Sequence, residues 1–234
     1  MYHLLRIPCL FVATALFTAA YTAPNSPANR ADRVQGALYE RVMPIVYPIV
    51  QKLTSIIPAV AESAVILSMN FSSETSNKVM ANLVLNGDLP DATLNIYFIV
   101  GVILTCAGSF GRLWCFRALG RHFTYELSIL KGHKLITIGP YAYVRHPSYS
   151  TGIVAVLGIT IMHASPGSFV RTCGWLDTTM GRSIAGVWAI LMLLGWVLSY
   201  SRSKVEDAYL ENHFKKEWDA YAKRVRYRLF PGIY

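Results

Sequence analysis

The stretch GPYAYVRHPSYSTG, residues 139–152, holds an unusual density of side chains that can take part in chemistry. It carries three tyrosines together with Arg145 and His146 on a segment stiffened by two prolines, in a chain that is otherwise largely apolar. The Gly-Pro pair predicts a turn, and Pro147 suits the first position of a helix. Because the first turn of a helix exposes N–H groups and a partial positive charge, this stretch predicts an ordered loop that can hold an anion such as a carboxylate.

Two plainer interpretations of these side chains stay open. Tyrosine and arginine often anchor the ends of membrane helices at the lipid–water interface. His122, His133 and His146 could bind a metal, but their separations match no recognised ligand motif, and we expect no metal site. The number of aromatic and basic side chains on one rigid frame favours a binding function over simple anchoring.

The tail RSKVEDAYLENHFKKEWDAYAKRV, residues 202–225, is the second informative stretch. Its apolar residues recur at steps of three or four and predict one face of an amphipathic helix. This face consists of Leu210, Phe214, Trp218, Tyr221 and Val225. Steps of four residues back from Leu210 place Glu206 and then Arg202 on the same face of the helix. Asp207 lies one residue away from this face. Inward charges at the end of a membrane bundle are candidates for function, although a solvated ion pair is the plainer interpretation.

The composition of the 234-residue chain predicts the fold that must position both stretches. Hydrophobic residues make up 53% and charged residues 15%, against about a quarter charged in soluble domains. We therefore predict an all-α, polytopic integral membrane protein with about five membrane helices, a C-terminal cytosolic amphipathic helix and an ordered loop that leads into a membrane helix. The predicted membrane helices cover residues 4–21, 42–69, 94–114, 152–164 and 184–200. The fourth is short for a span unless residues 149–151 continue it, and the proline-interrupted second is either a kinked membrane helix or a helix lying partly at the interface.

Three further features refine this prediction. The turn-rich residues 71–93 predict a loop, and Gly101, Gly108 and Gly111 predict close packing of the third membrane helix against a neighbour. Residues 1–22 resemble either a cleaved signal peptide or a retained helix, and the polytopic chain favours the retained helix. The net charge of +9 lies near the ends of apolar segments, which favours contact with membrane lipid over nucleic acid.

The two stretches together carry a family resemblance. The pattern H-x-L-x-T-x-G-P-Y-x-Y-x-R-H-P-S-Y-x-x-G, from His133 to Gly152, resembles the core of isoprenylcysteine carboxyl methyltransferases. In that family an R-x-x-x-E-E motif and a helix with Phe and Tyr at set steps follow. The corresponding residues are Arg202, Glu206, Asp207, Phe214 and Tyr221. The sequence departs from the family pattern at Asp207, Trp218 and Arg226, where Glu, Tyr and Pro are usual.

The resemblance implies one membrane methyltransferase domain over residues 1–234. Residues 1–116 would form N-terminal helices and loops, and residues 117–234 the cofactor-binding and catalytic half. The implied reaction moves a methyl group from S-adenosylmethionine to the α-carboxylate of a C-terminal prenylated (farnesyl or geranylgeranyl) cysteine of CaaX-type proteins, leaving S-adenosylhomocysteine. The implied location is the endoplasmic reticulum membrane, with the active site facing the cytosol and the cofactor bound between loop and tail rather than on a Rossmann sheet.

The resemblance also implies the site residues. The implied cofactor contacts are Glu126, His133, Lys134, Leu135, Ile136, Tyr141, His146, Pro147, Ser148, Tyr149 and Glu206. Arg202 would bind the substrate carboxylate as a catalytic residue, and Arg145 would assist it or only hold the loop. A guanidinium suits this role because it can donate two parallel hydrogen bonds to a carboxylate. The carboxylate is already ionised at neutral pH, so no general base is required.

Three other functions stay open. Phospholipid N-methyltransferases share a similar loop and cofactor, but their amine nucleophile must lose a proton, which requires a base. Membrane sterol reductases share a loosely related C-terminal half and use a nicotinamide cofactor. A non-enzymatic membrane scaffold would explain the helices and the basic tail but not the pairing of loop and tail.

Overall fold

The computed structural model describes residues 2–27, 38–86, 88–125, 132 and 134–233 of the chain. Within these ranges the regular elements are helices, accompanied by an isolated β-bridge between Phe230 and Ile233. The α-helices are α1 (Arg6–Ala20), α2 (Leu38–Asn70), α3 (Glu74–Leu83), α4 (Ile96–Leu119), α5 (Pro147–His163), α6 (Phe169–Thr172), α7 (Thr179–Phe214) and α8 (Lys216–Arg224). Short 3-10 helices cover Tyr2–Leu5, Gly120–His122, Gly139–Ala142 and Trp175–Asp177.

The apolar helices confirm an all-helical protein of the membrane type. Among the described residues, 3 segments are long and apolar enough to cross a membrane: Val42–Asn70, Ile96–His122 and Thr179–Phe214. Helices α1 and α5 are also apolar but have 15 and 17 residues, fewer than the roughly 20 that a perpendicular span needs. A helix therefore occurs in each of the five predicted regions, while a count of five crossings stays a prediction.

Helices α4 and α5 pack with their backbones nearly in contact, as the glycines of α4 predict. A Cβ atom placed on Gly108 would lie 2.4 Å from the backbone nitrogen of Ala155. A Cβ atom on Gly158 of α5 would lie 2.3 Å from the backbone nitrogen of Thr105. Helix α1 packs against this pair and against α2, where its Phe17 is fully buried. The loop between α4 and α5 is thereby held at one end of a tightly packed helix pair.

The predicted loop at residues 71–93 was wrong in part, because α3 forms within it. Ser73 caps this helix by accepting a hydrogen bond from the backbone N–H of Ser76 at 3.0 Å. Met80 and Leu83 pack against a small buried cluster that lies near α2 and α6. A serine cap and this apolar contact outweigh the turn-forming composition of the segment, and the contact depends on distant parts of the chain.

The prediction of one helix over residues 202–225 was also wrong, because the tail is divided. Helix α7 continues without a break from the membrane region to Phe214. Lys215 then has a φ of 49°, which ends the helix, and α8 begins at the next residue. The break occurs within the predicted apolar face, yet Trp218 and Tyr221 are buried in one cluster with Leu135 of the central loop.

Candidate functional site

A cavity of about 250 Å³ lies where the central loop, the end of α7 and helix α8 meet. Most of the sequence-predicted site residues line it. These are Lys134, Leu135, Ile136, Tyr141, Arg145, His146, Ser148, Tyr149, Arg202 and Glu206. Pro147 is buried at the start of α5 and is not among the lining residues. Glu126 and His133 lie outside the described residues.

Glu206 is held firmly at the wall of this cavity. Its Oε1 accepts hydrogen bonds from the hydroxyl of Tyr149 at 2.7 Å and from Nε of Arg202 at 3.0 Å. Its Oε2 lies 3.3 Å from Nδ1 of His146. The carboxylate thus joins α7 to the loop and to the first turn of α5. Because a carboxylate has about four acceptor positions, these three described contacts leave capacity for one more donor.

The adjacent Asp207 is also buried, and sequence reasoning assigned it no role. Its Oδ2 accepts hydrogen bonds from Arg145 at 3.2 Å and from Nε of Arg228 at 2.8 Å, and its Oδ1 lies 2.6 Å from Nε2 of His146. Burial by itself would lower the pKa of His146, but its hydrogen bonds to Asp207 and Glu206 outweigh burial and raise that pKa above 6.5. The imidazole therefore keeps its proton to a higher pH than a free histidine does.

The segment that follows α8 docks onto the central loop mainly through backbone groups. The backbone N–H of Arg145 donates to the carbonyl of Tyr227 at 3.0 Å, and that of His146 to the carbonyl of Arg228 at 2.9 Å. The Arg145 guanidinium donates to the carbonyl of Val225, also at 3.0 Å. Of the two roles predicted for Arg145, holding the loop against the tail matches these contacts.

Arg202 lines the cavity, and its side chain joins two parts of the site. Besides its hydrogen bond to Glu206, its Nη2 donates to the backbone carbonyl of Tyr125. The predicted inward direction of both α7 charges agrees with this geometry, and so does the plainer prediction that they pair with each other. Contact between Arg202 and a substrate carboxylate stays a prediction.

Sequence reasoning missed Arg112 of α4, which lines the same cavity and has only 7% of its surface exposed. Its Nε donates to the carbonyl of Ala20 at 2.9 Å, and its Nη1 donates to the carbonyl of Ser148 at 2.7 Å. The ring centroids of Tyr21 and Tyr125 lie 5.0 and 5.8 Å from its guanidinium carbon. A signal was present in the sequence, because an ionisable residue inside an apolar helix is a functional candidate by default.

Comparison with known proteins finds a family match for one part of this site. Residues 101–176 match the family model described as the isoprenylcysteine carboxyl methyltransferase family. This match covers most of α4, the central loop and α5, which are the elements that carry Arg112 and the loop residues. This part of the chain is similar to the isoprenylcysteine carboxyl methyltransferase family. The resemblance seen in the sequence is thereby confirmed.

Individual curated proteins are similar to this chain at modest identity. A probable protein-S-isoprenylcysteine O-methyltransferase of Oryza sativa subsp. indica is 29% identical over 128 residues, which cover 54% of this chain and 57% of that protein. The protein-S-isoprenylcysteine O-methyltransferase of Schizosaccharomyces pombe is 30% identical over 122 residues, which cover 51% of this chain and 44% of that protein. The nickel-cobalt-cadmium resistance protein NccN of Alcaligenes xylosoxydans xylosoxydans is 28% identical over 135 residues, which cover 57% of this chain and 49% of that protein. The chain spans about half the length of the curated relatives it matches.

Proposed function

We propose that this chain transfers a methyl group from S-adenosylmethionine to the α-carboxylate of a C-terminal prenylated cysteine, leaving a methyl ester and S-adenosylhomocysteine. The observation that carries the proposal is the position of Glu206, which lies against Tyr149 and His146 of the family's central region. The endoplasmic reticulum membrane and a cytosolic active site are part of the proposal. They follow from the family and from the basic residues that surround the cavity.

The cavity has the mixed lining that this donor and this acceptor require. The carboxylate of Glu206 can accept a hydrogen bond from an amino or ribose group, and the faces of Tyr141 and Tyr149 suit a sulfonium cation. The same cavity is lined by membrane-helix residues, including Pro48 of α2 and Leu198 of α7, against which a prenyl chain could pack. The residues present therefore fit both a polar donor and an apolar acceptor.

The proposed step needs positioned groups and no base. When bound, S-adenosylmethionine would supply an electrophilic methyl group: the bond between a carboxylate oxygen and the methyl carbon forms as the bond between that carbon and sulfur breaks, and no proton moves. The chain's own contribution is to hold the two reactants in line, which can be worth roughly 7–11 kcal/mol. Glu206 is fixed by three described contacts and can therefore hold the methyl donor in a defined position.

The function is tested by assaying methyl transfer in membranes that contain the full chain. Labelled S-adenosylmethionine and N-acetyl-S-farnesylcysteine should yield a base-labile methyl ester above the level of control membranes. Label in phosphatidylethanolamine derivatives instead would assign the chain to phospholipid N-methylation. Label in neither product would overturn the proposal and leave the reductase and scaffold functions.

The role of Glu206 is tested by the substitution Glu206→Gln, which keeps the shape and removes the charge. We expect the affinity for S-adenosylmethionine to fall about 10-fold or more, since a hydrogen bond to a charged group contributes about 1.5–3 kcal/mol. Equilibrium binding of the labelled donor measures this. The matched control is Glu211→Gln on the same helix, whose side chain is exposed and should leave binding unchanged. Equal binding by both variants would contradict the assignment.

A further inference from the structure

We propose that Asn25, in the segment that follows α1, is a positioning residue for binding of the methyl donor. The inference rests on the proposed function and adds a residue from outside residues 101–176, the region that matches the family model. Asn25 does not line the cavity itself, and it acts through the residues after α4 that do.

Residues 120–125, the wall segment, follow α4, and four of them line the cavity. Gly120 has a φ of 53°, which ends α4 and turns the chain into this segment. The backbone carbonyl of Tyr125 accepts a hydrogen bond from Arg202, and Arg202 in turn donates to Glu206 at 3.0 Å. The wall segment is therefore connected to the carboxylate that is proposed to bind the donor.

The side chain of Asn25 fastens the wall segment at two points. Its Nδ2 donates to the backbone carbonyl of Gly120 at 2.8 Å and to that of Phe123 at 2.9 Å. A side-chain amide has two N–H donors, so it can make both bonds at once. The ring of Phe123 also packs against Phe116 of α4 and against Tyr125, with centroid distances of 4.1 and 5.6 Å. One amide and one ring therefore fix the turn from which the cavity-lining residues follow.

Asn25 is in turn held close to a rigid part of the bundle. Four residues earlier, Tyr21 is only 3% exposed, and its ring stacks on the fully buried Phe17 with centroids 4.6 Å apart. The Tyr21 hydroxyl donates to the carbonyl of Gly152 on α5 at 3.1 Å. The wall segment is thus ordered by the end of α1 before any ligand binds, and a site that needs no ordering retains more of its interaction energy as affinity.

These contacts predict an effect on the donor rather than on the acceptor. The wall segment meets Arg202 and through it Glu206, whereas Pro48 and Leu198, which suit the prenyl chain, belong to α2 and α7. Without Asn25 the wall segment loses two hydrogen bonds, while Glu206 keeps its bond to Tyr149. The KM for the donor should therefore rise, and kcat at saturating donor should stay unchanged.

The test is the substitution Asn25→Asp, which keeps the shape of the side chain but replaces the donating amide by a carboxylate that only accepts. Binding of labelled S-adenosylmethionine to the purified full chain in nanodiscs should weaken about 3- to 10-fold. The KM for this donor should rise by the same factor, with kcat and the KM for N-acetyl-S-farnesylcysteine unchanged. Amide hydrogen exchange at residues 120–125 should become faster.

Two further variants control for charge and for general effects. Asn25→Ala also removes both hydrogen bonds but adds no charge, so it should weaken donor binding as well, and it replaces the first variant if that one does not fold. Asn82→Asp is the matched control, because the exposed Asn82 amide likewise donates to a backbone carbonyl, that of Lys78 on α3, at 2.7 Å. This variant should bind the donor as the unaltered chain does.

The outcomes separate this inference from the function on which it rests. Unaltered donor binding in the Asn25 variants overturns the inference, and so does an equal loss in the Asn82 variant or a fall in kcat with donor affinity unchanged. An unaltered chain that binds the donor but makes no methyl ester overturns the proposed function alone, because the binding comparison still tests Asn25. An unaltered chain that binds no donor overturns both. Weaker donor binding in the Asn25 variants alone supports the inference.

Discussion

At the scale of single residues, two neighbouring carboxylates on α7 have different tasks. Glu206 faces the cavity, where Tyr149 and Arg202 hold it. Asp207 faces the other way, onto Arg145 and Arg228, and links the central loop to the segment after α8. One residue of helical rotation therefore separates a group suited to bind a ligand from a group that fastens the wall of the site.

The role of Asp207 is tested by Asp207→Asn, which removes the charge that three partners share. We expect a loss of about 2–4 kcal/mol in stability, because the substitution removes the carboxylate charge that Arg145, His146 and Arg228 share in a largely buried site. Thermal unfolding of the chain in nanodiscs measures this loss, and amide hydrogen exchange at residues 225–229 should become faster. Asp219→Asn, at an exposed position of α8, should change stability by less than about 0.5 kcal/mol. Unaltered exchange in the Asp207 variant would count against the fastening role.

At the scale of elements, the site depends on how closely α4 and α5 approach each other. Arg112 on α4 reaches Ser148 on α5 because small residues let the two backbones come together. The same contact sets the position of the first turn of α5, from which Tyr149 projects toward Glu206. Helix packing far from the cavity therefore determines the distances within it.

Gly158→Ala tests this packing at a point well removed from the cavity. Its added methyl group would lie 2.3 Å from the backbone nitrogen of Thr105, so the helices must shift apart. We expect a destabilisation of about 1–3 kcal/mol, typical of overpacking, measured by thermal unfolding. Gly186→Ala is the matched control on α7, where an added Cβ meets nothing within 4 Å, and it should not destabilise the chain. Equal stability of the two variants would show that the close approach is unimportant.

At the scale of the whole molecule, α1 connects two polar clusters about 22 Å apart, as its 15 residues at about 1.5 Å each imply. At its start, Arg6 is fully buried, pairs with Glu62 of α2 and donates to Ser165 at 2.9 Å. Just past its end, the hydroxyl of Tyr21 donates to the carbonyl of Gly152 at 3.1 Å. Helix α1 is thus packed as an integral part of the bundle, while its retention stays a prediction.

Glu62→Gln tests how strongly the bundle depends on the cluster at the start of α1. The substitution leaves Arg6 as a buried charge without its partner, and we expect a loss of about 3–5 kcal/mol in thermal unfolding experiments. The control Glu74→Gln removes an exposed carboxylate that pairs with Lys78, and should cost less than about 1 kcal/mol. The variants Arg6→Leu and Glu62→Leu are also made singly and together. The double variant should lose less stability than the sum of the losses in these two single variants. Additive losses would contradict a coupled pair.

The sequence by itself determined the features that depend on near neighbours along the chain. The membrane class follows from apolar content, the turn and helix start around Pro147 from local backbone preferences, and the inward direction of Glu206 from helical periodicity. Most of the implied site residues are contiguous in the central loop, so their presence at one cavity could be predicted from a motif. This local information also sufficed to predict the family.

Only the tertiary structure decided which distant groups meet. Arg112 and Ser148 are 36 residues apart, and Arg6 and Ser165 are 159 apart, so no local pattern relates them. The division of the tail at Lys215 likewise depends on where α8 finds apolar partners, because the residue types on either side would permit a continuous helix. Periodicity predicts the direction in which a side chain points, but packing between helices determines what it meets there.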